Sequence, residues 1–146
     1  MQKVRNLWRR TWRQVGLLLL LAAIPSAISA AVQLQKVTEP PLAAGEVRLK
    51  TAQGWGAKVL WVDAREQKRF DAEHIPEAIR LTADEWETLV PAFLDRWDDE
   101  KLVVVYCDGG GCEASHAVAA KLEAELQIKD VFVLQGGFPA WQKAHP

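Results

Sequence analysis

Five consecutive apolar residues, Leu102 to Tyr106, run directly into Cys107, which a triple glycine, Gly109–Gly110–Gly111, soon follows. A short apolar run bounded by turn-forming residues marks a strand buried on both faces, which implies a parallel sheet covered by helices. The alanine-rich stretch from Ala114 to Leu126 supplies the next helix. A strand, a glycine loop and a helix in this order aim backbone amides and the positive helix end at the loop. Cys107 therefore stands where a reactive sulfur would be placed, in surroundings that favour a thiolate or an anion attached to it.

The remaining pattern repeats the alternation. Glu46 to Leu49, Lys58 to Asp63, Ala78 to Leu81 and Val131 to Leu134 read as strands or extended pieces. Helical pieces are expected at Thr51 to Trp55, within Ala64 to Ala72, from about Ala83 to Trp97, and at Phe138 to Lys143. Thr82 and Glu85 have the spacing of a capping box, whereas Pro91 should kink or divide the helix that follows. The order implies an α/β domain with a mainly parallel sheet, its ligand site beyond the carboxyl ends of the strands. Asp63 and Arg65 end a buried strand, where a charged pair more often holds loops than clamps substrate. His74, before Ile75–Pro76, is expected to order a turn, and His116, one turn into its helix, either approaches Cys107 as a base or cationic partner or is turned by helix geometry to solvent.

Lys3, Arg5, Arg9, Arg10 and Arg13 lie within the first 14 positions, which hold no acid. The rest of the chain then has 13 basic against 19 acidic residues, a poor balance for nucleic-acid binding. Val15 to Leu34 is uncharged and about 20 residues long, the length that spans a hydrocarbon core. Positive charge before it and none close behind indicate an uncleaved transmembrane anchor, with residues 1–14 cytoplasmic and the domain on the extracytoplasmic, periplasmic side. Pro25 and the small residues ending at Ala30–Ala31 fit the alternative, a cleavable signal and a secreted domain. Residues 35–45, with Pro40–Pro41, read as a linker, and residues 46–146 as a domain that needs no disulfide staple. Cys107 and Cys112 are too few for a disulfide scaffold and, without suitable histidines, make a poor zinc site.

Four motifs, in this order, resemble the rhodanese-like domain family. They are VLWVDARE with Asp63 and Arg65, FDAEHIPEAIRL from Phe70 to Leu81, VVVYC ending at Cys107, and VFVLQGGFPAW ending at Trp141. The resemblance implies a three-layer α/β fold, with a mainly parallel central sheet flanked by helices. It also implies a sulfurtransferase without metal or organic cofactor, in which Cys107 takes a sulfane sulfur from a donor, holds it as a persulfide and passes it to a thiol or other nucleophilic acceptor. Asp108, Gly109, Gly110, Gly111, Cys112 and Glu113 form the loop around that sulfur, and Asp63, Arg65, His74 and His116 are supporting candidates.

This loop departs from the family's commonest form. It is longer and holds no arginine or lysine between Cys107 and the helix, but Asp108 and Glu113 instead. Carboxylates beside the cysteine oppose its ionisation and repel a dianion such as thiosulfate, which favours a protein persulfide or another low-charge donor. Longer loops resemble those of cell-cycle phosphatases and arsenate reductases, yet Glu113 lies where those enzymes place an arginine, so the cationic clamp for a phosphoryl group is missing. The acidic loop also admits a noncatalytic binding or thiol redox-sensing module. Cys112 would then close a disulfide with Cys107, or be no more than a small buried residue.

Overall fold

Val103 and Val105 pack on one side of the central strand β4 (Leu102–Tyr106), Val104 and Tyr106 on the other, and all four are fully buried. This period-two division of an apolar run separates two cores and requires a layer of helices on each side. The computed structural model describes residues 40–109 and 113–146. The anchor expectation at residues 15–34, and the expectations for Gly110, Gly111 and Cys112, lie outside the described residues.

Five strands form one parallel sheet in the order β1-β5-β4-β2-β3, where β1 is Glu46–Val47, β2 Val59–Asp63, β3 Ile79–Arg80 and β5 Val131–Leu134. Register brings Asp63 level with Tyr106 on one side and with Arg80 on the other. The connection out of β2 leads to β3 on one side and that out of β4 to β5 on the other, so a crevice opens beyond their carboxyl ends. The larger core joins Leu60, Val62, Val103, Val105, Val131 and Val133 to Trp86 and Phe93 of helix α3 (Trp86–Leu94), and to Val118 and Leu122 of α4 (Glu113–Leu126). The smaller joins Val104, Tyr106 and Leu134 to Ala52 of α1 (Leu49–Gly54) and to Phe138 of α5 (Gly137–Ala144). Helix α2 (Gln67–Ala72) buries no residue fully and lies in the connection from β2 to β3. Among the described residues, no helix is long and apolar enough to cross a membrane.

The strands expected at Leu102–Tyr106 and Val131–Leu134 form as read, whereas α3 is shorter than expected at both ends. At its start only half of the capping box forms. The Glu85 N–H donates to Thr82 Oγ1 over 3.3 Å, but the Glu85 carboxylate turns to Arg80 rather than back to Thr82. Pro91 lies inside the helix, so of the two expected outcomes division does not occur. It lacks only one donor, and the helix ends three residues later at Leu94. Trp97 still packs against the core, and its N–H bonds to Phe93 O.

Candidate functional site

Cys107 follows the central strand directly and is only 3% exposed. The Ser115 hydroxyl, itself buried in the first turn of α4, donates to Cys107 Sγ over 3.4 Å. A donor held on sulfur stabilises its charged form, and a hydrogen bond to an ionised group is about twice as strong as a neutral one.

The turn after β5 forms a wall of this site. Phe138 N–H donates to Cys107 O over 2.7 Å. Gly137 has φ +57°, and a Cβ there would lie 2.4 Å from Cys107 O and 2.6 Å from Gly109 N. A Cβ on Gly109, at φ +100°, would lie 2.7 Å from Gly136 O. Two glycine segments distant in sequence thus interlock by backbone contact, which only residues without a side chain permit.

Arg65 enters from the end of β2. Its Nε and Nη2 hold both oxygens of Asp63 at 2.6–3.1 Å, and Nη2 also donates to Glu73 O over 2.7 Å. Its guanidinium lies 4.0 Å above the Phe138 ring and 5.5 Å from that of Tyr106. Burial alone would lower the Arg65 pKa, but hydrogen bonding and attraction to Asp63 outweigh it and leave the pKa raised. The Tyr106 phenol is also pushed up, by burial first and then by the charge of Asp63, while its oxygen accepts the Ile75 N–H. The pair is a bracket that ties β2, the turn before His74 and the aromatic floor together. Arg65 Nη1 also lies 3.7 Å from Asp108 Oδ1, so a cation absent from the loop's own sequence reaches it from another strand.

The other sequence candidates are distributed around this centre. Asp108 is exposed and lines a cavity of about 330 Å³ with Arg65, Arg69, Phe138 and Gln142. Glu113, exposed at the start of α4, lines a different groove with Glu66, Arg80 and Asp84. His74 stacks on Phe70 and, with Nδ1 carrying the proton, donates to Phe70 O over 2.8 Å, which orders the turn as expected. His116 takes the outward of its two expected placements. Half-exposed, its Nε2 lies 3.9 Å from Glu46 Oε1, and the α4 side chain that reaches the sulfur is that of Ser115. Adjacent helix positions point about 100° apart, so both residues cannot face Cys107. Among the described residues, no cluster of His, Cys, Asp or Glu could hold a metal ion.

The family model of the rhodanese-like domain matches residues 46–144. A thiosulfate sulfurtransferase GlpE from Coxiella burnetii is 34% identical over 88 residues, covering 60% of this chain and 76% of its own length. Another from Pseudomonas savastanoi pv. phaseolicola is 31% identical over 85 residues, with 58% and 74% covered. Solved structures agree on the fold. A protein from Bacillus halodurans superposes with a TM-score of 0.55 at 22% identity, covering 82% of each chain. The rhodanese-like domain of an Anabaena protein gives 0.51 at 22% identity, covering 70% of this chain and 76% of its own.

Proposed function

The chain belongs to the rhodanese-like domain family, and on that premise we propose that it is a sulfurtransferase that carries sulfane sulfur on Cys107. The observation that carries the reading is the buried Ser115 hydroxyl on Cys107 Sγ, at the carboxyl end of the central strand. The names of the relatives that act on thiosulfate support the reaction class.

The Cys107 thiolate attacks the terminal sulfur of a donor persulfide. An S–S bond forms at Sγ as the donor's S–S bond breaks, and the donor leaves as a thiolate. An acceptor thiolate then takes the outer sulfur, and Cys107 returns as a thiolate, stabilised by Ser115. No net oxidant is consumed.

The preferred donor is a protein persulfide or another low-charge species rather than thiosulfate. Arg65 brings positive charge to the loop, but it is engaged by Asp63 and faced by Asp108, which leaves little to bind a dianion. Residues 15–34 are proposed to tether the domain on the extracytoplasmic side, a reading supported by their length, their lack of charge and the basic flank. Mass spectrometry of the mature N-terminus separates that anchor from a cleaved signal.

Intact-mass measurement after incubation with thiosulfate, polysulfide or glutathione persulfide tests the chemistry. The expected result is a gain of about 32 Da, one sulfur, that is lost in Cys107→Ser and kept in Cys112→Ser. No adduct with any donor rejects sulfur transfer. Loss of about 2 Da under mild oxidation, also absent from Cys107→Ser, would instead identify a thiol switch with Cys112.

A further inference from the structure

In sequence the cysteine loop carries two acids of equal standing, Asp108 and Glu113, but the fold separates them. Asp108 directly follows Cys107, and its half-exposed carboxylate turns to Arg65, with Oδ1 3.7 Å from Nη1. Glu113 stands two positions before Ser115, whose hydroxyl lies on Cys107 Sγ. Helix positions two apart point about 200° from each other, so Glu113 is aimed away from the sulfur. It lines a different groove from Asp108.

Arg65 is the cation that Asp108 meets, and its three nitrogens are used unequally. Nε and Nη2 make every hydrogen bond of that side chain among the described residues, to Asp63 and to Glu73 O. Nη1 has only Asp108, at a distance too long for a hydrogen bond. Unlike Arg80 Nε, it is not sealed in the interior, and Arg65 lines the cavity of about 330 Å³ that Asp108 also lines. The chain's own carboxylate thus stands where an incoming anion would meet this arm. Consecutive Cα atoms are about 3.8 Å apart, so a donor at Cys107 Sγ comes within about 10 Å of that carboxylate, near one Debye length at 0.1 M salt.

We propose that Asp108, and not Glu113, sets the charge of the donor that Cys107 accepts. Its carboxylate cancels the free arm of Arg65 and repels dianions, so low-charge persulfides react in preference to thiosulfate. That the donor is a sulfur compound rests on the sulfurtransferase reading above, whereas selection by charge rests on Asp108 and Arg65. Without this carboxylate, Arg65 Nη1 is open to an oxygen of thiosulfate. The Cys107 thiolate then attacks the outer sulfur, the new S–S bond forms as that of thiosulfate breaks, and sulfite leaves with the electron pair.

The test compares Asp108→Asn, Asp108→Glu and Glu113→Gln in the full-length chain, in a mild detergent at low ionic strength. Both positions are exposed, so the changes leave the core intact. Two rates are followed by mass at Cys107, sulfur gain from thiosulfate and alkylation by iodoacetate, each divided by the rate of alkylation by uncharged iodoacetamide. The division cancels any change in the thiolate's own reactivity, which a merely structural effect would also produce. A unit charge about 6 Å from a dianion in water alters its approach roughly tenfold, and that of a monoanion roughly threefold. Asp108→Asn is expected to raise the thiosulfate and iodoacetate ratios by about those factors, and high salt to abolish the gain. Asp108→Glu and Glu113→Gln should change either ratio by less than about twofold. Ratios unmoved by Asp108→Asn, or moved as far by Glu113→Gln, overturn the proposal. So does an unaltered chain that gains sulfur from thiosulfate as fast as from the persulfide of 2-mercaptoethanol. If no chain gains sulfur from either donor while the iodoacetate ratio still rises in Asp108→Asn, the sulfurtransferase reading falls and charge selection by Asp108 stands.

Discussion

Arg65 and Arg80 belong to the carboxyl ends of adjacent strands, and both are buried, yet their surroundings differ in completeness. Arg65 has Asp63 on two nitrogens, a backbone carbonyl, a nearby Asp108 and two aromatic rings beneath it. Arg80 has a half-exposed Glu85 and an N–H with no acceptor. A buried charge held on two nitrogens by a fully buried counterion is part of the scaffold, because removing either partner leaves the other without compensation. One with a buried donor that finds no acceptor carries a standing cost instead. Burial of the arginine alone does not distinguish the two, but burial of its partner does, since Asp63 is fully buried and Glu85 half-exposed.

Removing the arginine whose partner is fully buried is the strongest challenge to this contrast. Arg65→Leu leaves Asp63 buried and unpaired and is expected to destabilise the domain by about 3–5 kcal/mol in urea unfolding. Arg65→Lys should recover only part of that, since a single ammonium cannot reproduce the fork. A loss no larger than that from Glu85→Gln would erase the distinction between the pairs.

Alkaline pH challenges the same bracket without mutation. Tyr106 is the chain's one tyrosine, and burial followed by the Asp63 charge raises its pKa. Its neutral form is therefore favoured by folding. That stabilisation is fully present below the unfolded phenol's ordinary value of about 10 and is lost as pH rises through the folded value. Near-ultraviolet absorbance should show tyrosinate only together with unfolding. Ionisation of the folded domain near the ordinary value would mean that the bracket is open to water.

Ser115→Ala sharpens the comparison at the sulfur itself. The hydroxyl is buried but contributes little to packing, so stability should fall by only about 1 kcal/mol, while alkylation of Cys107 by iodoacetamide at neutral pH slows roughly tenfold. Unchanged alkylation would remove Ser115 from the chemistry. The smallest effect is expected from Glu85→Gln, below about 1 kcal/mol, because one partner of that pair is half in water.

Much of this was legible in local pattern. The Leu102–Tyr106 and Val131–Leu134 strands were readable because burial on both faces writes a continuous apolar run. Cys107 was readable because it ends the apolar run and the three glycines begin two residues later. The ends of α3 were not, since Arg80 competes for the Glu85 carboxylate that the capping spacing assigns to Thr82. Ser115 gave no signal in an alanine-rich helix, and neighbouring His116 looked chemically richer until the helix turned it toward Glu46. Gly136–Gly137 entered only as part of the VFVLQGGFPAW motif, and contact with Cys107 O and Gly109 explains why the second residue has no room for a side chain.

The sequence by itself determined the alternation of strands and helices, the cysteine at a strand end and the family, because each depends on residues close together in the chain. Tertiary structure decided which groups surround the sulfur and which charges remain unmatched. Arg65 reaches Asp108 from another strand, and Gly137 meets Gly109 across the sheet's end. Arg80 is left with an open donor because the groups that might have paired with it are placed by packing rather than by proximity in sequence. Hydrogen bonds and desolvation act through distances of a few ångströms, and only the folded chain sets those distances.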